Sequence, residues 1–185
     1  MRQSCQLKLG DEMTRRTLFI IATAASLCSG LALTTSSAVV HQESLKEQML
    51  GTWTAVAVHN VLEDGSEVQS YGSNPSGVLM LNAQGHFSLI LIRSDLPKFA
   101  SNNRDAGTPE ENKSVVQGSL ANYGTYALNE GERTLVLRIK NSTFPNWRGT
   151  EQTRLIVDVS SDELKWRNPA ASNGGTAQLI WKRMK

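Results

Sequence analysis

GVLMLNAQGHFSLILIR, residues 77–93, carries the pattern on which the fold turns. Two runs rich in Val, Leu, Ile and Phe flank a polar segment, Asn82 to Gly85, of the composition that reverses a chain. Phe87, Leu89, Leu91 and Arg93 recur at every second position, which is the period of a strand rather than of a helix. The stretch predicts a β-hairpin.

Working outward, the same signal repeats. TWTAVAVHNVL, residues 52–62, sets Trp53, Ala55, Ala57 and His59 on one face at period two. YGTYAL (123–128), TLVLRIK (134–140), EQTRLIVDV (151–159), ELKWR (163–167) and TAQLIWKR (176–183) bring the predicted strands to eight. The later connections, NEGER and SSDE, are short and polar, as expected for antiparallel neighbours joined in order. Eight such strands predict an all-β fold, an antiparallel up-and-down barrel. Closure removes exposed edges and leaves an interior wide enough for one small ligand.

Two helices are expected beside the strands. A short amphipathic one covers residues 44–50. The second lies in the insertion at residues 94–122, where TPEE forms a capping box: Thr108 is the N-cap, Pro109 stands at the first helical position, and Glu111 follows three after the cap. Val115, Val116 and Leu120 would give this helix an apolar face. Placed across a barrel opening, the insertion reads either as a lid or as a plug.

The chain has 185 residues, which suggests one folded domain. Residues 1–38 read as an export signal. Twin arginines, Arg15 and Arg16, precede an apolar run ending near Leu33, and Ser36 to Ala38 supply small residues for signal cleavage. The mature domain is then 39–185, periplasmic or secreted, and Met13 is a plausible alternative start. The apolar run is short for a bilayer span, so stable membrane insertion after signal removal is not expected. Four of the 19 Lys and Arg and two of the 17 Asp and Glu precede residue 39, leaving 15 of each in the body. A formally neutral body offers no electrostatic reason for a nucleic-acid partner. Cys5 and Cys28 both lie in the leader, so the mature domain has no disulfide, thiol nucleophile or cysteine metal site. Leu27 before Cys28 is too bulky for a lipidation signal.

At residues 51–53, GTW directly follows the short helix at the first strand's start; it is the G-x-W signature of lipocalins. A basic residue after the last strand, Lys182 or Arg183, can cover that tryptophan. In order along the chain, LGTW, SNPSGVLML, GHFS, AGTPEE, NYGTY and FPNWRGTEQTR resemble the bacterial and fungal lipocalin-like domain family. The resemblance implies a calycin-type eight-stranded barrel, and it brings no shared reaction and no agreed catalytic residues. Many members carry a histidine just upstream of the FPNW block. Here the chain reads LRIK, which argues against carrying over a histidine-based mechanism.

Candidate ligand contacts follow from the strand pattern. In FPNWRGTEQTR, Pro145 suits a position outside the ladder, Asn146 and Gly149 suit a turn, and Phe144 and Trp147 should pack over the barrel rim. Beyond it, Arg154 shares a face with Gln152, Ile156 and Asp158, while Thr153, Leu155, Val157 and Val159 take the other. Periodicity favours the more apolar set inward, with Arg154 solvated outside. The opposite orientation would make Gln152 and Arg154 polar anchors for a ligand carboxylate or hydroxyl. Arg93 ends an apolar stripe at the barrel mouth, where it could meet an anionic head group or snorkel to water. His59, His86, Tyr123 and Tyr126 are the groups that could move a proton, although each histidine also fits a structural, hydrogen-bonded role. Trp53, Trp166 and Trp181 fit core packing better than a ligand cage, Trp53 remaining a candidate contact. No metal-binding spacing, nucleophile motif or cofactor motif is present.

Three functions are compatible with this pattern. The first is an exported barrel that binds a small hydrophobic or amphiphilic molecule. The second is an enzyme, an isomerase, cyclase or hydrolase, acting on such a molecule inside the barrel. The third is a filled barrel that acts in protein interaction. A cavity near roughly 300 Å³ separates the third from the others, and two titratable groups within hydrogen-bond reach inside it would favour catalysis.

Overall fold

The computed structural model describes residues 43–185, so the leader with its twin arginines, Cys5 and Cys28, and also His41, lie outside the described residues. The elements in order are α1 (Leu45–Met49), β1 (Gly51–Val61), β2 (Glu67–Val68), β3 (Ser76–Leu81), β4 (His86–Ile92), α2 (Pro109–Gly118), β5 (Ser119–Asn129), β6 (Thr134–Ser142), β7 (Glu151–Val159), β8 (Glu163–Asn168) and β9 (Thr176–Arg183). From β3 to β9 each strand pairs antiparallel with the next; β1 pairs with β3 on one side and β9 on the other. That last pairing closes an eight-stranded barrel, and the two-residue β2 hangs on the end of β1. All eight predicted strands are present.

The opening hairpin forms as its sequence dictates. Gly85 takes the left-handed φ of +82° that the reversal requires. Across the turn the Asn82 amide donates to the His86 carbonyl, and the His86 amide donates to Asn82 Oδ1 at 2.9 Å. Phe87, Leu89 and Leu91 point into the barrel at 3–4% exposure, while Ile90 and Ile92 face out.

Three β-bulges modify the alternation. In β1 an extra residue at Val56 shifts the register between Ala55 and Ala57. Trp53 and Ala55 are inside before the bulge; Val58 and Asn60 are inside after it. Val157 bulges likewise in β7, and Lys140 does so in β6 opposite Tyr123 and Gly124. A Cβ on Gly124 would stand 1.9 Å from the Arg138 carbonyl oxygen, so the strands can approach there only at glycine.

One end of the barrel is filled. Trp53, Trp166 and Trp181 are fully buried together with Leu79, Leu135, Leu137 and Leu164, and the Trp166 and Trp181 rings meet edge to face at 5.5 Å. Helix α1 caps this end. Ser44 and Glu47 form a reciprocal capping box, Met49 is buried, and the Trp53 indole donates to the Met49 carbonyl at 3.0 Å. The basic residue over Trp53 is Arg183. Its guanidinium lies 4.0 Å from the ring centroid and donates to the carbonyls of Leu50 at 2.6 Å, of Gln48 at 2.5 Å and of Ser161. Gly51 has φ +125°, and a Cβ there would sit 2.8 Å from Arg183 Nη1, so the glycine beside Trp53 is needed twice over.

The second helix starts as predicted. Thr108 and Glu111 make their reciprocal cap, and Glu111 also accepts from the Ala100 amide at 2.7 Å, tying the preceding loop to the helix. Those bonds hold its carboxyl below the usual range. The helix ends at Gly118, earlier than its apolar pattern implied, so Leu120 belongs to β5 and faces into the barrel. At the stop the Gly118 carbonyl accepts from the Arg93 amide at 2.8 Å and Ser119 is already extended, while a Cβ on Gly118 would lie 2.7 Å from Leu96 Cδ2 and 2.9 Å from Arg93 Cδ, which keeps the position small.

Candidate functional site

The other end of the barrel is hollow. A cavity of about 630 Å³ opens there, within the range that takes one small molecule. Its apolar wall is built from Val58 on β1, Leu89 and Leu91 on β4, Leu120 on β5, and Ala177 and Leu179 on β9, with Phe144 and Trp147 at the rim. Val115, Val116 and Gln117 from the last turns of α2 border the mouth, and Val116 remains 76% exposed. The helix therefore edges the opening without plugging it.

The rim stretch behaves as its composition suggests. Pro145–Trp147 form a 3₁₀ turn, Gly149 takes φ +75°, and Phe144 meets Trp147 edge to face at 5.7 Å. Trp147 is 8% exposed and its ring lies 5.9 Å from the Arg154 guanidinium carbon.

Arg154 corrects the orientation favoured from sequence. It faces inward at 4% exposure, opposite Leu135 on β6, and lines the cavity. Thr153 is outside, and beyond the Val157 bulge Val159 turns back toward the core. The apolar count of the two faces misled because three factors compensate the buried cation. Nη1 donates to the Thr153 carbonyl at 2.8 Å and to Asn168 Oδ1 at 2.9 Å, and the Trp147 ring covers the guanidinium. Desolvation still pulls the Arg154 pKa down to about 10.

Around Arg154 the register gathers buried amides. Asn168 pairs with Ala177 on β9, which in turn pairs with Asn60 on β1, so one cross-strand row carries Arg154, Asn168, Ala177 and Asn60. Asn60 donates to Asn173 Oδ1 at 3.3 Å, and Asn173 donates to Ser70 Oγ at 2.9 Å. Oδ1 of Asn60 and Oδ1 of Asn122 are buried without a donor among the described residues. Tyr71 completes the polar wall; burial pushes its phenol up to about 12.

Of the nine candidate contacts, Arg93, Phe144, Trp147 and Arg154 come together at this cavity. The other five do not line it. Trp53 is buried in the filled end. His59 lies on the outer face, because the Val56 bulge flips every position after it. His86 is outside, opposite Thr125 in the β4–β5 pairing. Tyr123 is 47% exposed, and Tyr126 is half-buried with its hydroxyl donating to the Asn82 carbonyl at 2.7 Å, away from the cavity. Arg93 sits at the mouth with Nε and Nη2 each 2.9 Å from an Asp95 oxygen, so its own chain supplies the anion there.

Sequence reasoning missed Asn60, Asn122, Asn168 and Tyr71. Asn122 had a usable signal: Leu120, Asn122 and Gly124 alternate into the barrel just before Tyr126. Among the described residues, no three His, Cys, Asp or Glu side chains gather as a metal site would require, and no helix is long and apolar enough to cross a membrane.

Comparison with known proteins identifies the family. No curated protein matches. Among solved structures, a lipocalin-like protein from Bacteroides uniformis is 15% identical, with a TM-score of 0.41 over 74% of this chain and 99% of its own. A de novo designed fluorescence-activating β-barrel is 12% identical, with a TM-score of 0.39 over 77% of this chain and all of its own. A mutant of the fluorescent protein UnaG is 15% identical, with a TM-score of 0.34 over 74% of this chain and 96% of its own. The lipocalin-like domain pattern matches residues 50–184, nearly the whole described chain. The chain belongs to the lipocalin-like domain family.

Proposed function

We propose that this protein is an exported binding protein that holds a small hydrophobic or amphiphilic molecule in the hollow end of its barrel. The observation that carries the reading is the cavity of about 630 Å³, apolar along most of its wall and open at one end. That volume argues against an interior filled by its own side chains. Export is supported by the leader sequence alone: twin arginines, an apolar run and a small-residue cleavage site. Binding is favoured over turnover by the titratable groups at the cavity. They are Tyr71, Arg93 and Arg154, and none is hydrogen-bonded to another.

The test is titration with the neutral fluorophore N-phenyl-1-naphthylamine. Saturable one-to-one binding with a blue-shifted emission is expected, and Ala177→Phe, which fills the cavity wall, should weaken it at least tenfold. No saturable binding, or equal binding by A177F, refutes the reading. For export, replacing Arg15 and Arg16 by lysine should retain the protein inside the cell; unchanged export would refute the twin-arginine route.

A further inference from the structure

Within the cavity just described, and resting on that reading, we infer that Arg154 is the receptor for a carboxylate, so that the ligand is an amphiphile with an acidic head. The guanidinium is 4% exposed, yet no carboxylate contacts it among the described residues. Its ion-pairing capacity is open, which is an expensive state for a buried cation.

The geometry of what is left free is specific. Both protein hydrogen bonds of Arg154 leave from Nη1, to the Thr153 carbonyl and to Asn168 Oδ1. Nε and Nη2 donate to no protein acceptor among the described residues. These two nitrogens form the side of the guanidinium that grips a carboxylate with two parallel bonds. The same protein displays that grip at its rim: Arg93 uses Nε and Nη2 on the two oxygens of Asp95, each at 2.9 Å. At Arg154 the matching edge has no internal partner. Asn168 and the Thr153 carbonyl fix the fork from one side, and Trp147 covers its face, so the group is oriented before any ligand arrives. Asn168 is itself held, accepting from the Ala170 amide at 3.2 Å.

The distinction between the two arginines also assigns their roles. Arg93 is 41% exposed in its side chain and already paired, so an incoming anion would have to displace Asp95. Arg154 has no such competitor. An acid whose apolar body lies against Leu89, Leu91, Leu120 and Leu179 can bring its head to Arg154 without breaking a bond of the protein.

The experiment measures matched pairs by isothermal titration calorimetry on the purified protein: dodecanoate against 1-dodecanol, and 1-naphthaleneacetate against 2-(1-naphthyl)ethanol. Wild type should prefer the acid of at least one pair by about tenfold or more, since charge-assisted bidentate bonds are roughly twice as strong as neutral ones. In Arg154→Met, which keeps length and removes charge, that preference should fall below about twofold, the acid losing more affinity than the alcohol. Arg154→Lys should keep only part of the preference, because the ammonium cannot fork. Equal affinity for acid and alcohol in wild type overturns the inference without recourse to any variant. So does a preference that survives R154M, or one that disappears only in Arg93→Gln. If the alcohols bind and the acids do not, the cavity reading stands and the carboxylate assignment falls. If neither kind of probe binds, both fall together.

Discussion

Arg183→Met tests the filled end of the barrel. Arg183 donates to the carbonyls of Leu50, Gln48 and Ser161 and stacks 4.0 Å over Trp53. The carbonyls of Gln48 and Leu50 belong to the last turn and cap of α1, where no intrahelical donor is available, so the methionine leaves them without their charged partner. Because Arg183 is partly exposed, each charge-assisted bond is taken at the low end, about 1.5 kcal/mol, and the stacking at about 1 kcal/mol. Interactions that share one side chain are not additive. The expected loss is therefore about 3 kcal/mol, measured by urea unfolding followed through tryptophan fluorescence, with an unchanged m-value. Arg183→Lys keeps the charge and one bond and should lose about half as much. Probe affinity in the hollow end should change less than twofold in both. A loss below about 1 kcal/mol for R183M would refute the claim that this residue holds the end cap to the barrel. An equal loss of affinity would refute the independence of the two ends.

Further expectations concern single sites. Gly124→Ala places a Cβ against the Arg138 carbonyl at a strand bulge and should lower the melting temperature by about 10 °C, corresponding to about 3 kcal/mol, in a thermal scan. His59→Ala and His86→Ala should leave N-phenyl-1-naphthylamine affinity within twofold, since both imidazoles lie outside the barrel; a larger loss would place a ligand contact on the outer face. Tyr71 supplies a pH test. Its folded-state pKa is raised from 10.0 to about 12, so its stabilising effect is complete below pH 10 and is lost as pH rises toward 12. Relative to Tyr71→Phe, wild type should lose stability to urea between pH 10 and 12, and parallel curves would refute burial of the phenol.

Most of the fold was legible because its signals are local. The hairpin at Gly85, the capping boxes at Ser44 and Thr108, and the turn at Pro145 each follow from a few adjacent residues. The site was harder to read. Strict alternation through Val56 puts His59 on the face of Trp53, but a bulge there is decided by how two strands meet, not by either alone. Arg154 reads as outward because Thr153, Leu155, Val157 and Val159 make the other face of its strand the more apolar one, and a guanidinium is costly to bury without partners. The groups that offset the cost, Asn168 and Trp147, stand 14 and 7 positions away in the chain, Asn168 brought to it by the β7–β8 pairing and Trp147 by the 3₁₀ turn ahead of β7. Local pattern thus reads strands well and reads polar interiors poorly, since the latter depend on partners outside the strand whose pattern is being read.

The pairing of β1 with β9 has a consequence for how the chain is made. Trp53 and Arg183, paired in that ladder, stand 130 residues apart. Hairpins such as β3–β4 and β8–β9 can form as soon as they emerge, but the free side of β1 waits for the final strand. At about 5 to 20 residues per second of synthesis, the wait is on the order of 10 s. During that time the nascent sheet exposes a strand edge and an apolar face that the finished barrel conceals, which is the period of greatest hazard from self-association. A chain stopped before Thr176 keeps that edge for good and should self-associate more than the full-length chain, a difference that light scattering of the two would show.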